Sequence, residues 1–513
     1  MLFAGDDERH SRQAHVNPVT ATTPVLRIAL WAILLAGAAH TTTDPDLWGH
    51  VRFGLDMLRD GSIPRVDVYS FTSDRAWVNH EWLAEIFIAA AYRLGANVGL
   101  ILLKLAAIGG MLLIVNSAFR RAAVDAPIVR DAAAAIALVL TLDQMQHVRP
   151  QLFSVVAFAA LLWCVAAARD GSRRFLLLIP PLFIAWANLH GGWMVGGAIL
   201  ALWTIGTAVA GRPKDAACLA VAGAAALAGT LVTPYGIELW KFLHDTVGFS
   251  RGDITEWQPI YAFGWQGWVR WAVTVTCAGA ALIVGGRNAR TPERIACLFG
   301  LAVAAFLVMR LQAFLAVGTV MLAGPALGHA YQRARENKSL RVTNRAARGT
   351  TAVAWCVTAA ALVAAAVNIT HLQVNRRLMP APGAVAFLNT QPAGRVLVWF
   401  DWGEYAIWHL APGMRVSIDG RRETTYSAKL QDQHLRFYFD ADGGASLPAT
   451  LSADYVWIPP HLPAARRLDA EGWRRVYEDG DAVVFARRQS PSRERAVMLA
   501  AATPPGSATF PGP

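Results

Sequence analysis

Charged residues are scarce in this chain. Only 16% of its 513 residues are Asp, Glu, Lys or Arg, and 55% are hydrophobic, whereas about a quarter of the residues in an ordinary soluble protein are charged. The shortage excludes an ordinary soluble protein and indicates long segments in contact with lipid. The net charge of +11 does not indicate nucleic-acid binding, because the basic residues form short clusters between apolar segments.

Cysteine is scarce as well, and the sequence shows no internal repeat. The five cysteines lie within or at the edges of apolar segments: Cys164, Cys218, Cys277, Cys297 and Cys356. None has the spacing of a metal-binding motif, and none lies in a loop where oxidation would pair it with another. Disulfide bonds and a structural zinc site are therefore not expected.

Long apolar segments recur between residues 25 and 368. A helix of about 20 apolar residues crosses a bilayer, and about eleven segments approach that length: 25–40, 95–117, 131–145, 151–168, 175–189, 192–210, 215–232, 268–285, 295–309, 311–330 and 349–368. Cleavage after Ala36-Gly37-Ala38 would make the first segment a signal peptide. The polar leader and the motif-rich loop behind the segment favour an uncleaved anchor.

The distribution of Lys and Arg predicts the orientation of these segments. Basic clusters fall in alternate short loops, which the positive-inside rule assigns to the cytoplasm. Residues 1–24 are then a cytoplasmic tail, and the carboxy-terminal part of the chain is extracytoplasmic. Four polar stretches share the outer face: the 41–82 loop, with its two predicted interface helices, and residues 144–151, 188–192 and 233–267.

The pattern changes after residue 368. Short β-rich runs at 395–400, 415–418, 455–458 and 482–486 alternate with helical stretches at 403–410 and 428–439. This alternation predicts an extracytoplasmic α/β domain over residues 369–488. Residues 489–513, rich in Pro, Ser and Ala, are predicted to be a disordered tail.

An acidic triplet, Asp44-Pro45-Asp46, directly follows the first apolar segment. Asp44 as N-cap and Pro45 at the first helical position would make a good helix start. The triplet also brings two carboxylates to the membrane surface, in a loop that contains further polar residues: His50, His80, Glu81 and Glu85. Two carboxylates near a histidine can hold a divalent cation or take the proton of a hydroxyl group.

Other polar residues interrupt apolar sequence on the same face. Asp143 and Arg149 flank a short loop at membrane depth, where polar groups are expensive and often functional; alternatively, the arginine pairs with lipid headgroups. His190 precedes two glycines and either lines a cavity or lies in a tight turn. Arg310 either binds a lipid phosphate or extends from a helix end to the interface.

The combination of an apolar helix, an Asp-x-Asp-type outer loop and two interface helices resembles the GT-C superfamily of membrane glycosyltransferases over roughly residues 25–368. The strings DPDLWGH, GSIPRVDVYSFTS and WVNHEWLAE also resemble a group of bacterial multispanning proteins of that type. The resemblance implies a polytopic α-helical protein of the bacterial cytoplasmic membrane that takes a sugar from a polyprenyl-phosphate donor. Asp44 or Asp46 would be the base, Arg310 and Arg149 would bind the donor phosphate, and the acceptor would be a lipid, glycan or protein.

Fainter motifs resemble those of oligosaccharyltransferases. Ile254-Thr255-Glu256-Trp257 is similar to a short acidic motif of those enzymes, and Trp399-Phe400-Asp401-Trp402-Gly403 partly matches their acceptor signature. The resemblance implies substrate binding by Glu256 and Asp401, together with His50, His80, Glu81 and His190. It also implies a Mg²⁺ or Mn²⁺ ion held by Asp46, Asp143 and Glu256, although Asp143 stands alone where oligosaccharyltransferases have a pair of acids. Asp401 would alternatively cap the following helix.

Two other classes of function remain open from the sequence. A transporter or lipid flippase would need polar groups at mid-membrane, and candidates such as Lys104 are few. A non-catalytic envelope assembly protein would use the membrane segments only to anchor its outer domain, and its acidic loop would tolerate substitution.

Overall fold

Helices form most of the chain, as the apolar segments predict. The computed structural model describes residues 18–246, 254–336, 347–375, 379–380, 382–487 and 509–512. The helices up to residue 370 are α1 (Pro18–Ala39), α2 (Leu47–Asp60), α3 (Trp82–Arg121), α4 (Pro127–Met145), α5 (Gln151–Arg169), α6 (Ile179–Leu189), α7 (Trp193–Val209), α8 (Pro213–Gly229), α9 (Ile237–Thr246), α10 (Trp265–Val284), α11 (Pro292–Leu307), α12 (Gln312–Leu322), α13 (Gly324–Glu336) and α14 (Ala347–Thr370).

Each predicted apolar segment falls on one or two of these helices. Within the described residues, five helical stretches are long and apolar enough to cross a membrane: Trp82–Arg121, Gln151–Arg169, Gly267–Val284, Met309–Ala334 and Thr350–Thr370. The other apolar helices are shorter, including Pro24–Ala39 and Trp193–Val209. The helical class is confirmed, and the number of eleven crossings stays a prediction.

The 41–82 loop lies between α1 and α3 and contains α2. This helix is the first of the two predicted interface helices, and its buried side includes the polar residue His50. The interface helix expected after residue 81 is the first part of α3. Gly95 and Ala96 leave helical geometry and separate this part from the apolar segment that follows.

The chain after residue 370 forms a five-stranded sheet with short helices, here called the C-terminal α/β region (382–487). The remaining elements of the chain, together with a short strand pair outside this region, are β1 (Thr41–Thr42), β2 (Leu372–Gln373), α15 (Pro382–Leu388), β3 (Gly394–Val398), α16 (Gly403–Leu410), β4 (Met414–Val416), α17 (Ala428–Tyr438), α18 (Leu447–Thr450), β5 (Tyr455–Ile458), α19 (Pro463–Ala470), β6 (Arg474–Glu478) and β7 (Val483–Ala486). The five-stranded sheet has the order β4-β3-β5-β7-β6, in which β3 is parallel to β4 and β5, and β7 is antiparallel to β5 and β6.

The 41–82 loop is joined to the chain beyond α14 at two places. Its first residues form β1, which pairs in parallel with β2. Farther along, Ser70 forms a parallel bridge with Val416, and the Phe71 amide donates to the Val416 carbonyl at 3.1 Å. The loop thereby covers the free edge of β4, so that loop and sheet form one hydrogen-bonded surface.

A buried arginine fixes this junction. The Arg421 guanidinium donates to Asp67 of the loop (2.7 Å) and to Asp419 beside it (2.6 and 2.8 Å). Its central carbon lies 4.6–5.4 Å from the ring centroids of three aromatic residues, Phe53, Tyr69 and Trp77. The pair with two carboxylates and the cation–π contacts together compensate the cost of burying the charge.

The predicted disordered tail is only partly described, because residues 488–508 and Pro513 lie outside the described residues. Residues 509–512 do not fit that prediction. The Phe510 ring packs against Trp48, Tyr92 and Trp408, and the Trp48 indole donates to the Pro511 carbonyl at 2.8 Å. Burial of one aromatic side chain is enough to hold this short segment against α2, α3 and α16.

Replacing Arg421 by methionine should destabilise the protein by about 3–5 kcal/mol, because Asp67 and Asp419 would remain buried without their cation. Thermal unfolding of the purified protein in detergent measures the change. The matched control is Arg436→Met, which removes an exposed pair with Asp432 and should cost at most about 1 kcal/mol. Equal melting temperatures for the two variants would contradict the role given to Arg421.

Candidate active site

A cavity of about 700 Å³ lies between the 41–82 loop, the ends of several apolar helices and the C-terminal α/β region. All four polar stretches singled out in the sequence contribute to its lining. The predicted site residues that line it are Asp46, His50, His80, Glu81, Arg149, His190, Glu256, Arg310 and Asp401. Residues far apart in the chain therefore meet at one place, which their sequence positions alone do not reveal.

The two acids of the triplet have different environments. Asp44 is buried, with 3% of its surface exposed, and is ion-paired with Arg149. Its side-chain oxygens make no capping hydrogen bond to α2. Asp46 occupies the N-cap position of α2 without a side-chain cap, and it lines the cavity. Asp44 is thus turned away from the cavity, and of the two predicted bases only Asp46 faces it.

Electrostatics make Asp46 unusual. Burial raises the pKa of Asp46 to about 6, and the negative charges of Glu256, Glu81 and Asp401 act in the same direction, while His50 opposes them. A carboxylate with a pKa near the working pH is suited to accepting a proton.

Arg149 and Arg310 meet at Glu256. The Arg149 Nη1 lies 3.2 Å from one Glu256 oxygen, and the Arg310 Nη1 lies 3.1 Å from the other. The Trp257 ring lies 5.3 Å from the guanidinium carbon of Arg310. Burial alone would raise the pKa of Glu256, but the two arginines outweigh it and lower that pKa. The two guanidinium groups, brought together by one carboxylate, form a surface of N–H donors of the kind that binds phosphate oxygens.

His190 extends this surface. The Gly192 amide donates to its Nδ1 at 3.0 Å, and Ser154 Oγ lies 2.7 Å from the same atom. Its Nε2 is 3.2 Å from Arg310 Nη2 and 3.6 Å from Glu81. Burial, reinforced by the charge of Arg310, holds the pKa of His190 well below its usual value. The ring is therefore neutral and adds no positive charge beside the arginine.

His50 and His80 lie on the other side of Asp46 and Glu81. The His50 Nδ1 is 3.3 Å from Glu85, whose other oxygen accepts a hydrogen bond from Asn79 at 2.6 Å. Burial lowers the pKa of His50, but Glu85 and the neighbouring acids outweigh it and raise the pKa above its ordinary value. His80 lies 3.7 Å from Glu81. The ion pair with Glu85 allows His50 to be buried within α2.

The residues do not fit the predicted cation site. Asp143 does not line the cavity; it is ion-paired with Arg270, whose guanidinium also donates to Gln312. Glu256 is engaged by two arginines, as described above. In the part of the chain that the structure describes, no three His, Cys, Asp or Glu side chains form a group that could hold a metal ion. Asp46 and Glu256 thus line the same cavity, but Asp143 does not join them.

The C-terminal α/β region contributes side chains that the sequence analysis missed. Asp401 lies in a 3₁₀ turn before α16 and faces the cavity, and Glu404 and Arg421 line it nearby. A signal for Glu404 was present, since an acid interrupts the largely apolar run of α16. Arg421 lies in the segment after β4, for which the sequence analysis offered no signal.

Comparison with solved structures identifies the fold. An oligosaccharyltransferase from Archaeoglobus fulgidus, tethered to an acceptor peptide, aligns with a TM-score of 0.54 and 11% identity over 91% of this chain and 74% of its own. ArnT from Cupriavidus metallidurans bound to undecaprenyl phosphate aligns with a TM-score of 0.52 and 12% identity over 93% of this chain and 100% of its own. The chain has the GT-C fold. No protein-family model and no curated protein matches it.

The GT-C fold is the one the sequence predicted, and the long apolar helices support a membrane protein. At identities of 11–12% the likeness concerns the fold, and the chemistry has to be argued from the residues of the cavity.

The variants Asp46→Asn and Asp44→Asn should change the stability of the protein in opposite directions. Asp46→Asn should stabilise the protein by about 1–3 kcal/mol at neutral pH, because a carboxyl whose folded pKa is raised costs stability as pH rises through that pKa. The gain should vanish below about pH 4, where the carboxyl is protonated even in the unfolded chain. Thermal unfolding across this pH range tests it.

Asp44→Asn should instead lower the melting temperature, because Arg149 loses a buried charged partner, at a cost of about 1–3 kcal/mol. Shifts of the same sign for both variants would show that the two acids do not differ as described.

Proposed function

We propose that this protein is a glycosyltransferase that moves a sugar from a polyprenyl-phosphate donor to an acceptor on the outer face of the bacterial cytoplasmic membrane. The observation that carries the proposal is the meeting of Arg149, Arg310 and neutral His190 opposite Asp46 in one cavity. Such a cavity offers arginine side chains that can bind a phosphate and a carboxylate that can take the proton of a hydroxyl group. The GT-C neighbours solved with undecaprenyl phosphate and with an acceptor peptide support the same kind of function.

The donor phosphate would bind at Arg310 and Arg149. Both arginines contact Glu256 in this structure, so a phosphate that approaches them competes with that carboxylate. Glu256 keeps the two like charges close together until the donor arrives, and its displacement lowers the net gain from phosphate binding. In this arrangement Glu256 opposes donor binding, in contrast to the substrate-binding role expected from the sequence.

The transfer step would be a single displacement. An acceptor hydroxyl attacks the anomeric carbon of the sugar while its proton passes to Asp46, and the bond from that carbon to the phosphate oxygen breaks. The pair of electrons leaves with the polyprenyl phosphate, whose added negative charge is stabilised by Arg310 and Arg149. Because the hydroxyl enters opposite the leaving phosphate, the configuration at the anomeric carbon inverts. Asp401 lines the cavity from the C-terminal α/β region and would contact the acceptor.

Native mass spectrometry of the purified protein, with and without added undecaprenyl phosphate, tests donor binding. Wild type should retain a polyprenyl-phosphate lipid. Arg310→Ala should lose it, because one of the two cations is gone, whereas Glu256→Gln should bind undecaprenyl phosphate more tightly than wild type. Arg290→Ala, an exposed arginine outside the cavity, serves as the control and should bind as wild type does. Absence of lipid from wild type with all donors tried would favour transport or assembly.

Transfer from a panel of polyprenyl-phosphate sugars tests the base. Asp46→Asn should lower turnover by about 10²–10⁴-fold while leaving undecaprenyl-phosphate binding intact, since the carboxylate acts on the acceptor and not on the phosphate. Normal turnover by this variant would remove Asp46 from the mechanism.

A further inference from the structure

Glu404 is a buried acid at the wall of the cavity. It lies on α16, a helix that is otherwise largely apolar and packs against α2. Only 4% of the residue is exposed, yet its side chain lines the same cavity as Asp46. An acid is rarely buried to this extent unless it is paired or protonated.

Two glycines allow Glu404 and Asp46 to come close together. The Gly49 amide donates to Glu404 Oε2 at 3.1 Å, and a Cβ on Gly49 would collide with the Glu404 carboxyl. A Cβ on Gly420 would collide both with Asp46 Oδ1 and with Glu404 Oε1. The carboxyl groups of Asp46, at the start of α2, and of Glu404, on α16, therefore approach the same point. Only glycine at positions 49 and 420 leaves room for them.

Among the described residues, the cations near Glu404 are engaged by other acids. Asp46 approaches Glu404 from the start of α2, Glu85 from α3, and Asp419 with Arg421 from the segment after β4. The Arg421 guanidinium is engaged by Asp67 and Asp419. Arg149, on which the charge of Glu404 also acts, is engaged by Asp44 and Glu256. Burial first, and then the charge of Asp46, raise the pKa of Glu404 well above its usual value. Two carboxyl groups held this close in a buried place carry one negative charge between them.

We propose that Glu404 is a positioning residue of the site, whose protonated carboxyl is paired with the carboxylate of Asp46 and fixes its orientation. The functional part of this inference rests on the proposed role of Asp46 as the base. The pairing also gives the C-terminal α/β region a part in the reaction, because Glu404 is the group from that region that restrains the base in the 41–82 loop.

A double-mutant cycle in thermal unfolding tests the pairing without any substrate. Asp46→Asn, Glu404→Gln and the double variant are compared at about pH 8, where keeping one of the two acids protonated costs the folded protein more than it does at lower pH. Each single variant should raise the melting temperature, and the double variant should gain less than the sum, because this cost can be removed only once. Glu471→Gln, a partly exposed acid of the same region, should leave the melting temperature unchanged. Additive shifts, or a lower melting temperature for Glu404→Gln, would overturn the pairing.

Turnover tests the positioning role. Glutamine keeps the shape of a protonated glutamic acid and donates a hydrogen bond, whereas leucine does neither. Glu404→Gln should therefore retain at least about tenfold more turnover than Glu404→Leu and should extend activity to higher pH. Equal turnover for the two variants would overturn the role. A subadditive cycle combined with normal turnover of Asp46→Asn would refute the base, and with it the positioning role, while leaving the carboxyl pair in place.

Discussion

The buried contact of Arg421 with Asp67 is the constraint on which the cavity depends. A guanidinium held by two carboxylates and three aromatic rings has one low-energy position, because any shift would leave a buried charge without its partner. The Ser70–Val416 bridge and the Glu404–Gly49 hydrogen bond lie on the same junction. The C-terminal α/β region is thereby held against the 41–82 loop as a wall of the cavity.

Charge is distributed unequally over the lining of the cavity. Arg149, Arg310 and Glu256 form one group, and Asp46 and Glu404 form another. The first group suits an anion, and the second takes up a proton. A displacement at a sugar carbon needs both groups, one on each side of that carbon. Negative charge develops on the leaving phosphate, while a proton leaves the attacking hydroxyl on the opposite side.

The sequence predicted a good part of this arrangement. Apolar periodicity placed the helices, and the alternation after residue 368 placed β3, β4, β5 and β7 within a few residues, because both patterns reflect local burial. It missed β6 (Arg474–Glu478), whose residues are mostly half-buried. Local pattern also singled out Asp46, Arg149, His190, Glu256 and Arg310. Contacts over long distances were beyond it: nothing local shows that Asp44 pairs with Arg149, that Asp143 pairs with Arg270, or that Glu404 approaches Asp46. Tertiary packing decides which charged residues pair with each other. Here it turns Asp44 away from the cavity that Asp46 faces, and it keeps Asp143 apart from Asp46 and Glu256.

The strand bridge between the 41–82 loop and β4 also has a consequence for biosynthesis. Asp67 and Arg421 are 354 positions apart in the chain, so the loop leaves the ribosome long before the strand whose edge it covers. During that interval the acidic loop lacks its partner, and once β4 has folded its edge stays open until the loop docks. The cavity therefore cannot be completed before residue 421 has been synthesised, and a chain stalled before that residue would insert its helices without completing the cavity.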